Sequence, residues 1–248
     1  MESSYRKRIY RNYRATHIQN QAASDFAYEA KVYAKVFGPL LPSDPSAEIF
    51  ELGCGSGGFL YYLQKAGYSR ATGMDQDPFH IEKAVRAGVA GVSTGDARVH
   101  LASQTARYDC VVALDVIEHF TKDEIFGVLD AVHNALKPGG TFLWRAPNAD
   151  GPFGMRVRYG DLSHELAFTK SSAWQLMKVA GFENVVVLPE GPVVTGARSL
   201  ARWLLWQPFR ALARLYLFAE SYAQDSLLTA NLIVRASKPL SLTVSLTQ

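Results

Sequence analysis

The sequence predicts an α/β fold built on a mostly parallel sheet. Three observations carry this. Segments readable as strands and as helices alternate along the chain, the pattern of βαβ units. Tyr108–Leu114 is almost wholly apolar, as a strand buried on both faces must be. Glu48-Ile49-Phe50-Glu51-Leu52 runs into Gly53, Gly55, Gly57 and Gly58, and a helix begins straight after. In a parallel sheet the ligand sits beyond the carboxyl end of such a strand. There glycines admit it close to the backbone, and the free N–H groups of the helix face it.

In chain order, Met1 to His17 is basic and tyrosine-rich, with five basic residues and one acidic. It reads either as a solvated helical arm or as a lid that lays Tyr10 and Tyr13 over a substrate. Phe26 to Phe37 has apolar residues at helical spacing and stops at Gly38-Pro39. These pieces form an N-terminal unit, residues 1–46. The expected strands are Glu48–Leu52, Ala71–Asp75, Gly91–Ser93, Tyr108–Leu114, Thr141–Ala146, Asn184–Leu188 and Leu228–Arg235. The expected helices are Gly58–Ala66, Phe79–Ala87, Arg98–Ala102, Lys122–Leu136 and Thr169–Val179, the last with N-caps in Thr169-Lys170-Ser171-Ser172. Lys137-Pro138-Gly139-Gly140 reads as a tight turn. The main domain then spans 47–188 and 227–238, and residues 189–226 form a helical insertion. Within it Arg198, Arg202, Arg210 and Arg214 drift along one flank, Trp203 and Trp206 cover other faces, and Pro208 should break or kink the helix.

Bulk properties exclude several classes. A chain of 248 residues, 48% apolar and 20% charged, is ordinary for a globular protein. A net charge of +3 is too small to argue for nucleic acid. Two cysteines, Cys54 and Cys110, give neither a disulfide framework nor a metal-ligand spacing. The polar start argues against a signal peptide, and no run of ~20 apolar residues exists to span a bilayer. A cytoplasmic protein is expected.

The glycines alone are ambiguous. Gly53, Gly55 and Gly58 satisfy G-x-G-x-x-G, and Asp75 lies near the distance of a ribose-binding acid, so an NAD-dependent oxidoreductase is one reading. Glu51 argues against it, because a carboxylate there would repel a pyrophosphate. Asp75, Asp96 and Asp115 place further acids at the ends of the next three strands. A cationic, phosphate-free ligand suits this rim, and S-adenosylmethionine has that chemistry.

Five segments together carry a family resemblance: Glu51-Leu-Gly-Cys-Gly-Ser-Gly57, Gly73-Met-Asp-Gln-Asp-Pro78, Gly95-Asp-Ala97, Tyr108 through Phe120, and Leu136-Lys-Pro-Gly-Gly-Thr-Phe-Leu143. In this order and spacing the chain resembles the class I S-adenosylmethionine-dependent methyltransferases. The resemblance implies a Rossmann-like seven-stranded sheet with helices on both faces and an antiparallel last strand. It implies that Glu51 and the loop Gly53, Cys54, Gly55 and Gly57 hold the methionine end of the cofactor. Asp75 would take the ribose hydroxyls, Gln76 would flank the adenine, and Asp96 with the Ala97 N–H would read the adenine. The Leu114 or Asp115 carbonyl would meet the ammonium. A binding module that keeps the fold without catalysis is the alternative.

On the acceptor side, methyl transfer to a hydroxyl needs alignment and proton removal. His119 follows the fourth strand, and His164 lies in the segment after the fifth; a near-neutral imidazole suits the task. Asp115, Glu118 and His119 form D-x-x-E-H, a set that holds a divalent metal in some quinone-ring methyltransferases. No metal is expected here, since many relatives carry the motif without one. Arg145 through Gly154, Arg158-Tyr-Gly-Asp161, His164 through Thr169 and the arginine/tryptophan insertion resemble a methyltransferase branch of bacterial surface-polysaccharide clusters. That resemblance implies a small sugar-like or phosphorylated acceptor touched by Asn148, Arg156, Arg158 and Tyr159. The insertion has three readings: a cover over the acceptor, a homodimer face, or a peripheral membrane-surface helix through 198–218. Cover or dimer is the preferred expectation.

Overall fold

The computed structural model describes residues 5, 6, 8, 9, 12, 26–152, 154–222 and 226–240. Within them run seven strands: β1 (Ile49–Leu52), β2 (Ala71–Asp75), β3 (Val92–Thr94), β4 (Tyr108–Leu114), β5 (Leu136–Pro147), β6 (Glu183–Glu190) and β7 (Asn231–Ser237). They form one sheet in the order β3-β2-β1-β4-β5-β7-β6. The first five are parallel, and β7 lies antiparallel between β5 and β6. This is the Rossmann-like arrangement that the sequence predicts. The strand order reverses between β1 and β4, which opens a crevice at their carboxyl ends.

Helices cover both faces: α1 (Phe26–Val36), α2 (Gly58–Lys65) and α3 (Pro78–Arg86) on one, α4 (Ala97–Ala102), α5 (Lys122–Ala135) and α7 (Lys170–Val179) on the other. A five-residue α6 (Gly154–Arg158) and the long α8 (Ala197–Ser221) complete the set. Strand alternation sorts the core. On β5, Phe142 and Trp144 point to the α5/α7 side and Leu143 to the α1/α2 side, and all three are fully buried. Trp144 Nε1 reaches Met177 Sδ on α7 at 3.3 Å, so its polar edge is served inside the core. Both thiols are buried, Cys54 in the loop after β1 and Cys110 in mid-β4, and burial raises the pKa of each.

Two expectations change. β5 begins at Leu136 rather than Thr141, because Leu136 already pairs with Tyr108 and the ladder resumes at Cys110–Thr141 after a register shift. The Lys137–Gly140 turn is that irregularity. Pro208 does not break α8, which runs as one helix from Ala197 to Ser221. The carbonyl that Pro208 cannot serve belongs to Leu204, which is 55% exposed, so water can reach it.

Candidate active site

The loop after β1 is shaped by two glycines. Gly53 has φ +70°, and a Cβ there would come within 2.6 Å of the Val116 side chain. Gly55 has φ +50° and faces open space, with no atom within 4 Å of where its Cβ would be. Asp75, at the end of β2, pins this loop: Gly55 N donates to its Oδ2 at 2.9 Å and Asp77 N to its Oδ1 at 2.8 Å. Gln76 beside it is exposed. Asp96 caps α4 by accepting from Arg98 N, and the Arg98 guanidinium pairs with both its oxygens. Those Arg98 bonds hold its carboxyl below the usual range against the opposing effect of burial. Ala97 follows, buried. Asp75 and Asp96 thus have local backbone duties, and an ionised carboxylate has lone pairs left for a ligand.

Glu51 is 3% exposed, and its Oε2 has no hydrogen-bond partner among the described residues. Burial, then the Asp75 charge, pushes its carboxyl well above the ordinary range, with Arg145 opposing. An orphaned acceptor at this strand end fits a cationic group and not a pyrophosphate. Arg145, on the neighbouring face position of β5, bridges Asp115 and Glu190 and lies over the Phe37 ring. Asp115 itself sits in the left-handed region, φ +56°, with its N–H on the Arg145 carbonyl. The Leu114–Asp115 backbone is therefore held in a fixed, uncommon geometry at the crevice mouth.

The structure brings the two histidines together. Their ring centroids are 4.8 Å apart in an edge-to-face arrangement. His164 Nδ1 lies 3.1 Å from the Val157 carbonyl, which can only accept, so Nδ1 carries the proton and Nε2 the lone pair. His119 Nδ1 faces the Ser163 carbonyl at 3.3 Å and Ser163 Oγ at 3.1 Å. Ser163 Oγ donates to Asp161 at 2.7 Å, which leaves it an acceptor from His119. Both imidazoles thus present a basic Nε2. Burial, then the neighbouring His164, lowers the pKa of His119, so it is neutral at pH 7.

Glu118 is buried between these groups, 1% exposed, and its Oε2 has no partner among the described residues. Glu118, His119 and His164 each place one ligand atom within 4.8 Å of the others. A carboxylate and two imidazoles are a donor set that suits a divalent cation. Burial, then Asp115, raises the Glu118 pKa. The carboxyl ionises in the unfolded chain but stays protonated in the fold, so its contribution to stability falls as pH rises above the ordinary carboxylate range. Glu118→Gln should remove that dependence and raise stability at pH 7 relative to pH 4. Denaturant melts at the two pH values check this.

The remaining substrate candidates divide. Asn148 is fully buried; its Nδ2 donates to the carbonyls of Leu227 and Thr229, and its Oδ1 accepts from Asp150 N. It ties β5 to the segment before β7. Asn148→Ala should destabilise by about 2–3 kcal/mol, since it leaves two carbonyls unserved; urea unfolding reads this. Arg158 donates through its guanidinium to the carbonyls of His164 and Glu165, and so positions the histidine segment. Arg156 and Tyr159 are exposed on and beside α6. Tyr10 and Tyr13 lie outside the described residues.

The arm supplies residues the sequence did not single out. Arg6, 8% exposed, pairs with both Glu124 oxygens and donates to the His119 carbonyl. Tyr5 donates to Glu165. Tyr5, Arg8, Ile9, Leu162, His164 and Glu165 line a cavity of about 550 Å³ beside the histidines. Asp161 and Ser163 were missed too, although Asp-x-Ser is a turn signature. Arg145 and Glu190 carry no local signal.

Fold and site define an α/β protein that offers a glycine loop and strand-end acids to a ligand, together with a half-buried imidazole pair. The chain belongs to the methyltransferase-domain family, whose profile matches residues 24–187. No curated protein matches it in sequence. Among solved structures it is similar to an S-adenosylmethionine-dependent methyltransferase from Archaeoglobus fulgidus (17% identity, TM-score 0.64, 95% of this chain and 100% of that one). It is also similar to one from Mesorhizobium loti (19%, 0.56, 83% and 97%). A third is Haemonchus contortus phosphoethanolamine N-methyltransferase 2 in complex with S-adenosyl-L-methionine (18%, 0.61, 96% and 60%). At these identities the likeness concerns the fold.

Proposed function

We propose that the protein methylates a hydroxyl of a small polar acceptor, sugar-like or phosphorylated, with S-adenosylmethionine as donor and a histidine as base. The observation that carries the reading is the imidazole pair whose Nδ1 protons are committed and whose Nε2 lone pairs are not. The donor, when bound, supplies an electrophilic methyl on a sulfonium and leaves as the thioether. Glu51 and the Gly53–Gly57 loop would hold its methionine end, and Asp75 and Asp96 its nucleoside. Nε2 of His119 or His164 would take the proton of the acceptor hydroxyl as its oxygen is methylated. The Ser163–Asp161 pair keeps the His119 ring in the right tautomer, and Arg158 fixes the His164 segment. Arg8, beside the cavity, suits an anionic acceptor. Membership of the methyltransferase family favours this over the oxidoreductase reading. Mass spectrometry of cell-extract metabolites incubated with enzyme and donor tests it: a gain of one CH2 on a hydroxyl is expected. Donor binding with no methylated product would leave the catalytically silent module instead.

The Glu118–His119–His164 trio favours one second reading, a divalent cation that lowers the acceptor pKa in place of a base. Chelator-treated enzyme separates the two: full turnover supports the base, and turnover restored only by added cation supports the metal.

A further inference from the structure

Helix α8 has its apolar side outermost. None of its residues is buried. The half-buried ones, including Trp203, Trp206 and Arg210, recur at three- and four-residue spacing and form the flank toward the body. Trp206 lies against Gly191, 3.6 Å from where a Cβ would stand, and Arg210 lies over the Trp206 ring. The opposite flank carries Leu204, Leu205, Phe209, Leu212 and Leu215, each 55–65% exposed. At 100° per residue, Arg198 falls within this stripe, Arg202 lies at one edge and Arg214 beyond the other, while Arg210 stays on the flank toward the body. The only acid in the helix is Glu220, in its last turn.

We propose that this stripe seats on the surface of an anionic lipid bilayer, with the helix lying in the plane of the headgroups. A helix of 25 residues is about 37 Å long, so the contact is extended. Its leucines and Phe209 would enter the acyl boundary while the flanking arginines reach the phosphates. The Leu204 carbonyl, which Pro208 leaves without a partner in the helix, needs water; the headgroup layer supplies it and the hydrocarbon centre does not. No helix among the described residues is long and apolar enough to cross a membrane, so the contact is peripheral. Charge disfavours a second copy as the occupant. A second copy would bring a helix of the same balance, four arginines against one glutamate, so an anionic surface complements it better.

Flotation of the full chain tests this, with vesicles of phosphatidylcholine alone and of phosphatidylcholine with phosphatidylglycerol. Wild type should float with the anionic vesicles, stay down with the neutral ones, and be released by salt. The variant R198Q/R202Q/R214Q should partition on the order of a hundredfold more weakly. The triple variant Leu205→Gln, Phe209→Gln, Leu212→Gln should lose flotation, while circular dichroism and S-adenosylhomocysteine binding confirm that it remains folded. Wild type that fails to float, or floats equally with neutral vesicles, overturns the proposal. So does a wild-type dimer by sedimentation that the triple variant dissociates without any lipid binding.

Discussion

Asp75→Ala should reduce S-adenosylmethionine affinity by at least a hundredfold in titration calorimetry. Two losses combine. The ribose diol loses an ionised acceptor, and hydrogen bonds to charged groups are each worth about 1.5–3 kcal/mol. The glycine loop also loses its anchor, because Gly55 N and Asp77 N both donate to this carboxylate. Asp75→Asn divides the two effects. Its amide keeps one acceptor for a backbone N–H and presents a donor where the second acceptor stood. It should lower the melting temperature less than Asp75→Ala does and still bind weakly. Wild-type affinity in Asp75→Ala would remove the carboxylate from the cofactor site.

Removing the imidazoles should cost turnover and not cofactor. His119→Ala and His164→Ala are each expected to lower kcat by about 10²–10⁴-fold, the usual worth of a positioned base. S-adenosylhomocysteine affinity should stay within a few-fold, since the hydrogen bonds of both rings go to the 157–163 segment. The pH profile carries the assignment. Burial and His164 lower the His119 pKa, so its basic form persists below the ordinary histidine value near 6.5. The acid limb of kcat/KM should therefore fall below that pH. Ser163→Ala removes one of the two acceptors on His119 Nδ1 and leaves the Ser163 carbonyl, so it should lower kcat less than His119→Ala does while leaving KM for the cofactor unchanged. If both histidine variants turn over at the wild-type rate, the base lies elsewhere.

How much of this was legible in the sequence depends on the reach of each interaction. The strand edges at β2 and β4 and the glycine loop are local features of apolar runs and turn chemistry, and sequence and structure agree on them. β5 was read short because pairing of Leu136 with Tyr108 is a contact across strands that no local pattern marks. The site divides in the same way. Glu51, Asp75, Asp96 and Asp115 end successive parallel strands, so topology alone brings them to one edge. Arg145 and Glu190 meet across 45 residues, and Ser163 meets His119 across 44, so these pairs appear only once the chain has folded. Asn148 and Arg158 have polar ends that read as ligand contacts. In the fold they serve carbonyl groups that would otherwise be left unserved.

The burial of Cys54 and Cys110 has a practical consequence. The Cys110 pKa is pushed up to about 12, and Cys54 is also raised, so neither forms the thiolate that alkylating reagents attack. The folded protein should be inert to iodoacetamide and become reactive only as the chain opens. Cys54 reports on the loop at the cofactor edge and Cys110 on the centre of the sheet. Pulse alkylation read residue by residue would then time two separate opening events in one native molecule.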